Sequence, residues 1–324
     1  MEAKAPDLSF NAACFSPSLA FPQVLVLAYP PIVYFPNEVK KRNIEFKSGD
    51  NETVRGVLYE PITPRPHPAI IFAHGLLSTH DEFGDYPMKF CARGYLVLAI
   101  DFRGHGASDG LRGLISSARN VEDLQHALNF IEAQPGMDNN RIVLFGHSFG
   151  GDAVLCTAAR DARVRAVVAG ATVGRLRDEL SPGEALTYRV IDAVNRAQKA
   201  ITRKSMYLPY RVTYADIFND AECRRTAEAK GFLQRTLPAD NIPLLLQQDA
   251  FACARNVRVP TLIVQGELDR VVKPASTRAV YDTLTCEKEW HEVKGSGHSF
   301  ATDGKGAEAF ERIAVWMNKH LQDG

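Results

Sequence analysis

Arg141-Ile-Val-Leu-Phe-Gly-His-Ser-Phe-Gly-Gly-Asp152 decides how the rest of the chain is read. Residues 142–145 have the length and apolar character of a buried strand, and the small residues of 153–159 read as a helix. Between them stands Gly146-x-Ser148-x-Gly150, the spacing of a serine held on a sharp strand-to-helix turn. At such a turn the residues two before and two after the serine approach so closely that a Cβ at either would clash. That accounts for glycine at both positions. The strain holds Oγ clear of the sheet, and the new helix aims free N–H groups at developing negative charge.

Working outward, the flanks alternate between strand and helix. Residues 44–46 and 54–59 read as early strands, and 69–73 is a buried strand running into His74-Gly75. Residues 86–93 form an amphipathic helix closed by Gly94. A strand at 95–100 then ends in Asp101-Phe-Arg-Gly-His-Gly-Ala-Ser-Asp-Gly110. Val121, Leu124, Leu128 and Ile131 recur at helical spacing. Further strands are expected at 164–169, 261–265 and 289–293, with helices at 276–284 and around Phe310, Ile313, Ala314 and Met317. Such alternation implies an α/β protein with a mostly parallel, doubly wound sheet, because parallel strands need crossovers.

Two stretches break the rhythm. Residues 171–256 show no convincing buried strand, only helical segments at 185–201 and 220–233. A connection of that length reads as an inserted helical cap. The core is then 43–170 together with 257–324. Residues 189–211 carry six basic side chains against one acid, Asp192, a pattern that suits a solvated helix face or an attraction for acidic substrates. Residues 1–42 form an arm, uncharged from 8 to 37 and interrupted by five prolines. The prolines argue against a spanning helix, and Lys4 offset by Glu2 argues against a signal peptide. The arm is expected to pack on the body or a partner subunit, or to touch a membrane surface peripherally.

Bulk composition limits the partners. Thirty-eight basic residues balance 38 acidic ones, so no overall field points to nucleic acid. Six scattered cysteines, at 14, 91, 156, 223, 253 and 286, show no paired spacing. They are expected to be buried thiols in a reducing, cytoplasmic setting rather than a disulfide frame or a zinc site. Asn51-Glu-Thr53 is read as a chance sequon. No cofactor or metal is called for, and the chain is expected to be a monomer or homodimer.

Serine at neutral pH is a weak nucleophile and needs a base, which in turn needs an orienting carboxylate. With the serine on the middle strand, the acid and histidine should follow on loops after the late strands. Asp269 in Gly266-Glu-Leu-Asp269 and His298 in Gly297-His298 meet that requirement, giving Ser148, Asp269 and His298 as the catalytic set. Glu267, Asp303 and Asp249 are the weaker alternatives for the acid. His291 falls inside a strand and His147 is expected to point away from Oγ, so both read as structural. Backbone N–H groups of Leu76 and Phe149 are the candidate oxyanion hole. Gly75 is expected to permit the bend that turns the Leu76 N–H inward, and the Leu76 and Phe149 side chains to line the acyl pocket. Asp101-Phe-Arg-Gly-His-Gly reads as scaffolding, its Asp and Arg fastening neighbouring loops.

These elements, in this order, resemble the α/β-hydrolase superfamily. The likeness is greatest to its capped branch of monoacylglycerol lipases, cinnamoyl esterases and serine aminopeptidase-like hydrolases. The resemblance rests on His74-Gly75, the 101–110 loop, Gly146-His-Ser-Phe-Gly150, Gly266-Glu-Leu-Asp269 and Gly297-His298. It implies an α/β-hydrolase fold and a carboxylic ester hydrolase acting on a small-molecule ester through an acyl-enzyme. Serine at 148, where dehalogenases and epoxide hydrolases carry aspartate, argues against those activities. A peptidase or thioesterase on the same residues, or a ligand-binding protein of this fold with incidental hydrolysis, are the rival readings.

Overall fold

The computed structural model describes residues 39–322. Most of the expected N-terminal arm therefore lies outside the described residues, and positions 39–42 already belong to the first strand. The main sheet comprises β1 (Val39–Lys47), β2 (Thr53–Pro61), β3 (His67–Ala73), β4 (Leu96–Asp101), β5 (Met137–His147), β6 (Val164–Gly170), β9 (Thr261–Gly266) and β10 (Lys288–Val293). Their spatial order is β1-β2-β4-β3-β5-β6-β9-β10. β1 and β2 pair antiparallel, as do β2 and β4, and every other pairing is parallel. The elbow strand β5 lies near the middle, where both faces are covered.

Period-2 alternation sorts the strand residues between two hydrophobic layers. Ile71, Leu98, Leu144 and Val167 face one layer, closed by α2 (Ser117–Glu132), α3 (Phe149–Ala158) and α9 (Pro274–Thr283). Phe72, Val97, Phe145 and Val168 face the other, closed by α1 (Tyr86–Ala92) and α10 (Gly306–Gln322). Helix α1 stops where expected: Arg93 caps it and Gly94 takes φ 91°, a conformation that disfavours a Cβ. The 121, 124, 128 and 131 positions of α2 are all buried, as their spacing requires.

Between β6 and β9 the chain holds α4 (Pro182–Thr202), α5 (Tyr214–Ile217), α6 (Ala221–Lys230), α7 (Asn241–Leu246) and α8 (Ala250–Ala254). It also holds a two-stranded antiparallel ribbon, β7 (Tyr207–Pro209) with β8 (Thr236–Pro238), which the sequence did not announce. Three-residue strands are too short to show a period. Helix α4 opens with a Ser181–Glu184 capping box, and Asn195 is its one buried residue. The Asn195 amide donates to Asp240 at 3.0 Å and accepts from the Met206 N–H at 2.8 Å, tying the helix to the ribbon. Of the basic residues here, Arg196 pairs with Asp192 and Lys199 with Asp240.

The cysteine expectation is corrected. Cys156 of α3 and Cys253 of α8 form a disulfide, with Cα atoms 4.8 Å apart. The two lie 97 residues apart in sequence, and only the packing of α8 on α3 brings them together. Cys91, Cys223 and Cys286 are free thiols. Disulfides persist in oxidising surroundings, so the cysteines no longer argue for a reducing compartment. Among the described residues, no helix is long and apolar enough to cross a membrane.

Candidate active site

The carboxyl ends of β3, β5, β6, β9 and β10 meet at one edge of the sheet, where open α/β sheets gather their functional loops. Ser148 sits there with φ 54° and ψ −117°, a strained backbone for a residue with a Cβ. Its glycine neighbours are explained by contact. A Cβ on Gly146 would lie 2.2 Å from the Gly150 oxygen, and one on Gly150 would lie 2.0 Å from the Ala73 oxygen of β3. Helix α3 starts at Phe149, so the Phe149 N–H has no acceptor within the helix. The Phe149 side chain packs with Ile115 and Leu245, and Leu76 packs against the same cluster.

The loop after β3 approaches the serine closely. A Cβ on Gly75 would come 3.1 Å from the Ser148 Cβ. Gly75 does not have positive φ; that conformation falls on Leu77, at 58°. A side chain at 75 would press on the serine, which would have to give by a few tenths of an ångström. The Gly75 N–H donates to Glu82 Oε1 at 2.8 Å, and the Gly75 carbonyl accepts from Ser78 N–H at 3.3 Å, with Leu76 held between.

Asp269 and His298 come from the loops after β9 and β10. Oδ2 of Asp269 lies 2.8 Å from Nδ1 of His298 and also accepts from Gln265 Nε2 at 3.0 Å. Oδ1 accepts the N–H groups of Val271 and Val272 at 2.8 and 2.9 Å. Burial pushes this carboxyl up, yet His298 and the surrounding donors outweigh it and the net shift is downward. An ionised Asp269 places the imidazole proton on Nδ1 and leaves Nε2 as the basic nitrogen. Ser148 and His298 line the same cavity, which holds only about 30 Å³ of free space. Gly75 and Leu76 form its core side. Tyr210, Val212, Ile217, Phe232 and Leu233, all from the segment between β6 and β9, cover it.

The model of the family described as serine aminopeptidase, S33 (Hydrolase_4) matches residues 64–305. The chain belongs to that family. It is 28% identical over 294 residues to the polyketide transferase af380 of Aspergillus fumigatus, covering 87% of this chain and 99% of the relative. It is also 28% identical to a monoacylglycerol lipase of Mycolicibacterium smegmatis, over 82% of this chain and 94% of that one. The crystal structure of the α/β-hydrolase GrgF from Penicillium superposes with a TM-score of 0.77 at 24% identity, covering 87% of this chain and 99% of that one. The fold is that of the α/β hydrolases.

Within this S33 chain the alternative residues stand elsewhere. Glu267 accepts the Gly295 N–H and pairs with Lys294, and Asp303 binds the N–H groups of Asn219, Asp220 and Gly297. Asp249 caps α8 and pairs with Arg175, and His291 lies on β10. None of the four lines the cavity. The 101–110 loop is knitted by its own side chains. Asp101 accepts from the N–H groups of His80 and Ala107, His74 Nε2 accepts the Phe102 N–H, and buried Arg103 pairs with Asp123 and Glu122 at 2.5 Å each.

One pair escaped the sequence reading. His147, expected only to pack, lines the cavity with Glu82. Its Nδ1 lies 3.2 Å from Glu82 Oε1, and its Nε2 lies 2.9 Å from the His298 carbonyl oxygen. Glu82 sits in no motif; its one signal is an acid beside Phe83 in a loop that must be buried against the elbow.

Proposed function

We propose that this S33-family chain is a serine hydrolase cleaving carboxylic esters through an acyl-enzyme on Ser148. The observation that carries this is the Asp269–His298 hydrogen bond, with His298 facing the same cavity as the strained serine. In this reading His298 Nε2 takes the Ser148 proton as Oγ adds to the ester carbonyl. The N–H groups of Leu76 and Phe149 stabilise the oxyanion. Collapse expels the alkoxide, which takes the proton from His298, and water, activated by the same base, releases the acid. Residues 171–256 act as the cap, and with about 30 Å³ free beside Ser148 it must move to admit an ester. The substrate is a small-molecule ester, in keeping with the relative named a monoacylglycerol lipase.

A second reading keeps the acyl-enzyme but passes the acyl group to an alcohol or takes it from a thioester. The relative named a polyketide transferase favours it, as does the apolar cover of Val212, Ile217, Phe232 and Leu233 over the cavity. A fluorophosphonate probe tests the shared step: labelling of the protein and none of Ser148→Ala is expected. A p-nitrophenyl acyl series run beside acyl thioesters and aminoacyl anilides then sorts the substrate class. Fast anilide cleavage with inert esters would replace the esterase by a peptidase.

A further inference from the structure

A second carboxylate–histidine pair lines the cavity beside Ser148, and the proposed reaction does not consume it. Glu82 and His147 are 5% and 6% exposed. Both ring nitrogens of His147 face oxygen: Nδ1 the Glu82 carboxylate, Nε2 the His298 carbonyl. A carbonyl only accepts, so Nε2 must carry a proton. Glu82 Oε1 already accepts the Gly75 N–H, and Nδ1 suits it as a second donor. A ring protonated on both nitrogens is a cation, and a buried cation needs an anion beside it.

We propose that Glu82 and His147 form a standing ion pair that positions the two sides of the site around Ser148. The acid end fixes Gly75, and through it the Leu76 N–H. The imidazolium end fixes the His298 backbone, and the His147 peptide itself leads into the serine. These are positioning residues, and the inference rests on the reading of Ser148 as nucleophile. The charges facing the pair agree with it. Burial lowers the affinity of His147 for its proton, but the Glu82 charge, hydrogen bonds to Glu82 and the His298 carbonyl, and the Asp269 charge reverse this and raise it. Burial likewise raises Glu82, while His147, His74 and Ser78 bring it below its ordinary value. The His298 ring lies tilted against that of His147, with centroids 4.6 Å apart.

Glu82→Gln is the discriminating variant because it keeps the shape and removes the charge. With His147 neutral and protonated on Nε2 for the His298 carbonyl, Nδ1 needs a donor while the Gly75 N–H needs an acceptor. One carboxylate oxygen serves both partners in the ion pair. The glutamine atom at that position is either C=O or NH2, so the Gly75 contact or the Nδ1 contact is lost. The expected result is a fall in kcat of about 10- to 100-fold with KM within about twofold, since displaced catalytic groups affect the transition state. An unchanged kcat, or a loss carried by KM, would overturn the proposal. Independently of activity, 15N-histidine NMR of the wild type, with His147 assigned from a His147→Asn spectrum, should show both its nitrogens protonated at pH 7. A singly protonated His147 there would also overturn it. Should wild-type protein neither label nor turn over any acyl substrate, the enzymatic reading falls, and the NMR result still decides the pair.

Discussion

Two buried carboxylate–histidine pairs flank Ser148, and they differ in how many imidazole nitrogens are occupied. In Asp269–His298, among the described residues, Nδ1 alone is engaged, at 2.8 Å. In Glu82–His147 both nitrogens are taken, at 3.2 and 2.9 Å. A histidine with one nitrogen free can carry a proton to and from a reacting group. One with both nitrogens bound can only hold what it touches. The same two functional groups, a carboxylate and an imidazole, are therefore fitted for different tasks by the second contact of the ring.

Ser148→Ala should remove about 10⁶-fold in kcat, the scale for losing a nucleophile, measured by ester turnover beside probe labelling. Asp269→Asn should cost about 10⁴-fold by leaving His298 in the wrong tautomer, with binding of a non-hydrolysable ester analogue retained. Equal and small losses in Asp269→Asn and Glu82→Gln would erase the distinction between the pairs. Gly75→Ala brings a Cβ to 3.1 Å of the Ser148 Cβ, so a tenfold-scale loss of kcat is expected in a protein whose circular dichroism is unchanged.

Stability against pH sharpens the contrast. Glu82 is held below its ordinary value of 4.5, so its contribution is present above that pH and is lost as pH falls through the depressed value. His147 is held above its ordinary 6.5, so its contribution is full below that pH and is lost as pH rises through the elevated value. The gap in Tm between wild type and Glu82→Gln should thus be widest between about pH 4.5 and 6.5 and narrow on both sides. A gap independent of pH would mean that the pair is not ionic. The smallest effect on activity is expected from reducing the Cys156–Cys253 bond. Cys156 lies eight residues along α3 from Ser148, roughly 12 Å. Reduction should lower Tm yet leave kcat within about twofold, and a large loss of kcat would show that α3 transmits strain to the serine.

The legible and illegible parts divide along a physical line. Gly146, Ser148 and Gly150 could be read because their requirement is local: three positions in one turn, each constrained by sterics within a few residues or by the next strand. The meeting of Asp269 and His298 could be anticipated because each follows a late strand, β9 or β10, and parallel strands deliver their ends to the same edge. Glu82 could not be, since nothing near it in sequence differs from an ordinary loop acid. His147 was placed as packing because its neighbour Ser148 said where the main chain turns but not what the ring would meet. The sequence suggests a bend at Gly75, whereas its tight approach to Ser148 depends on where the loop after β3 packs. The Phe149 side chain turned toward Ile115 and Leu245, a choice made by the helices around it.

By itself, the sequence determined the α/β alternation, the strained serine and the order of the acid and histidine that follow it. Those rest on backbone sterics and periodic burial, which act over short distances and leave a spelling behind. The tertiary structure alone decided the Glu82–His147 pair, the covering of the cavity by Tyr210, Phe232 and Leu233, and the joining of Cys156 to Cys253. Each depends on side chains tens of residues apart meeting at a stated distance, and no local preference records that meeting.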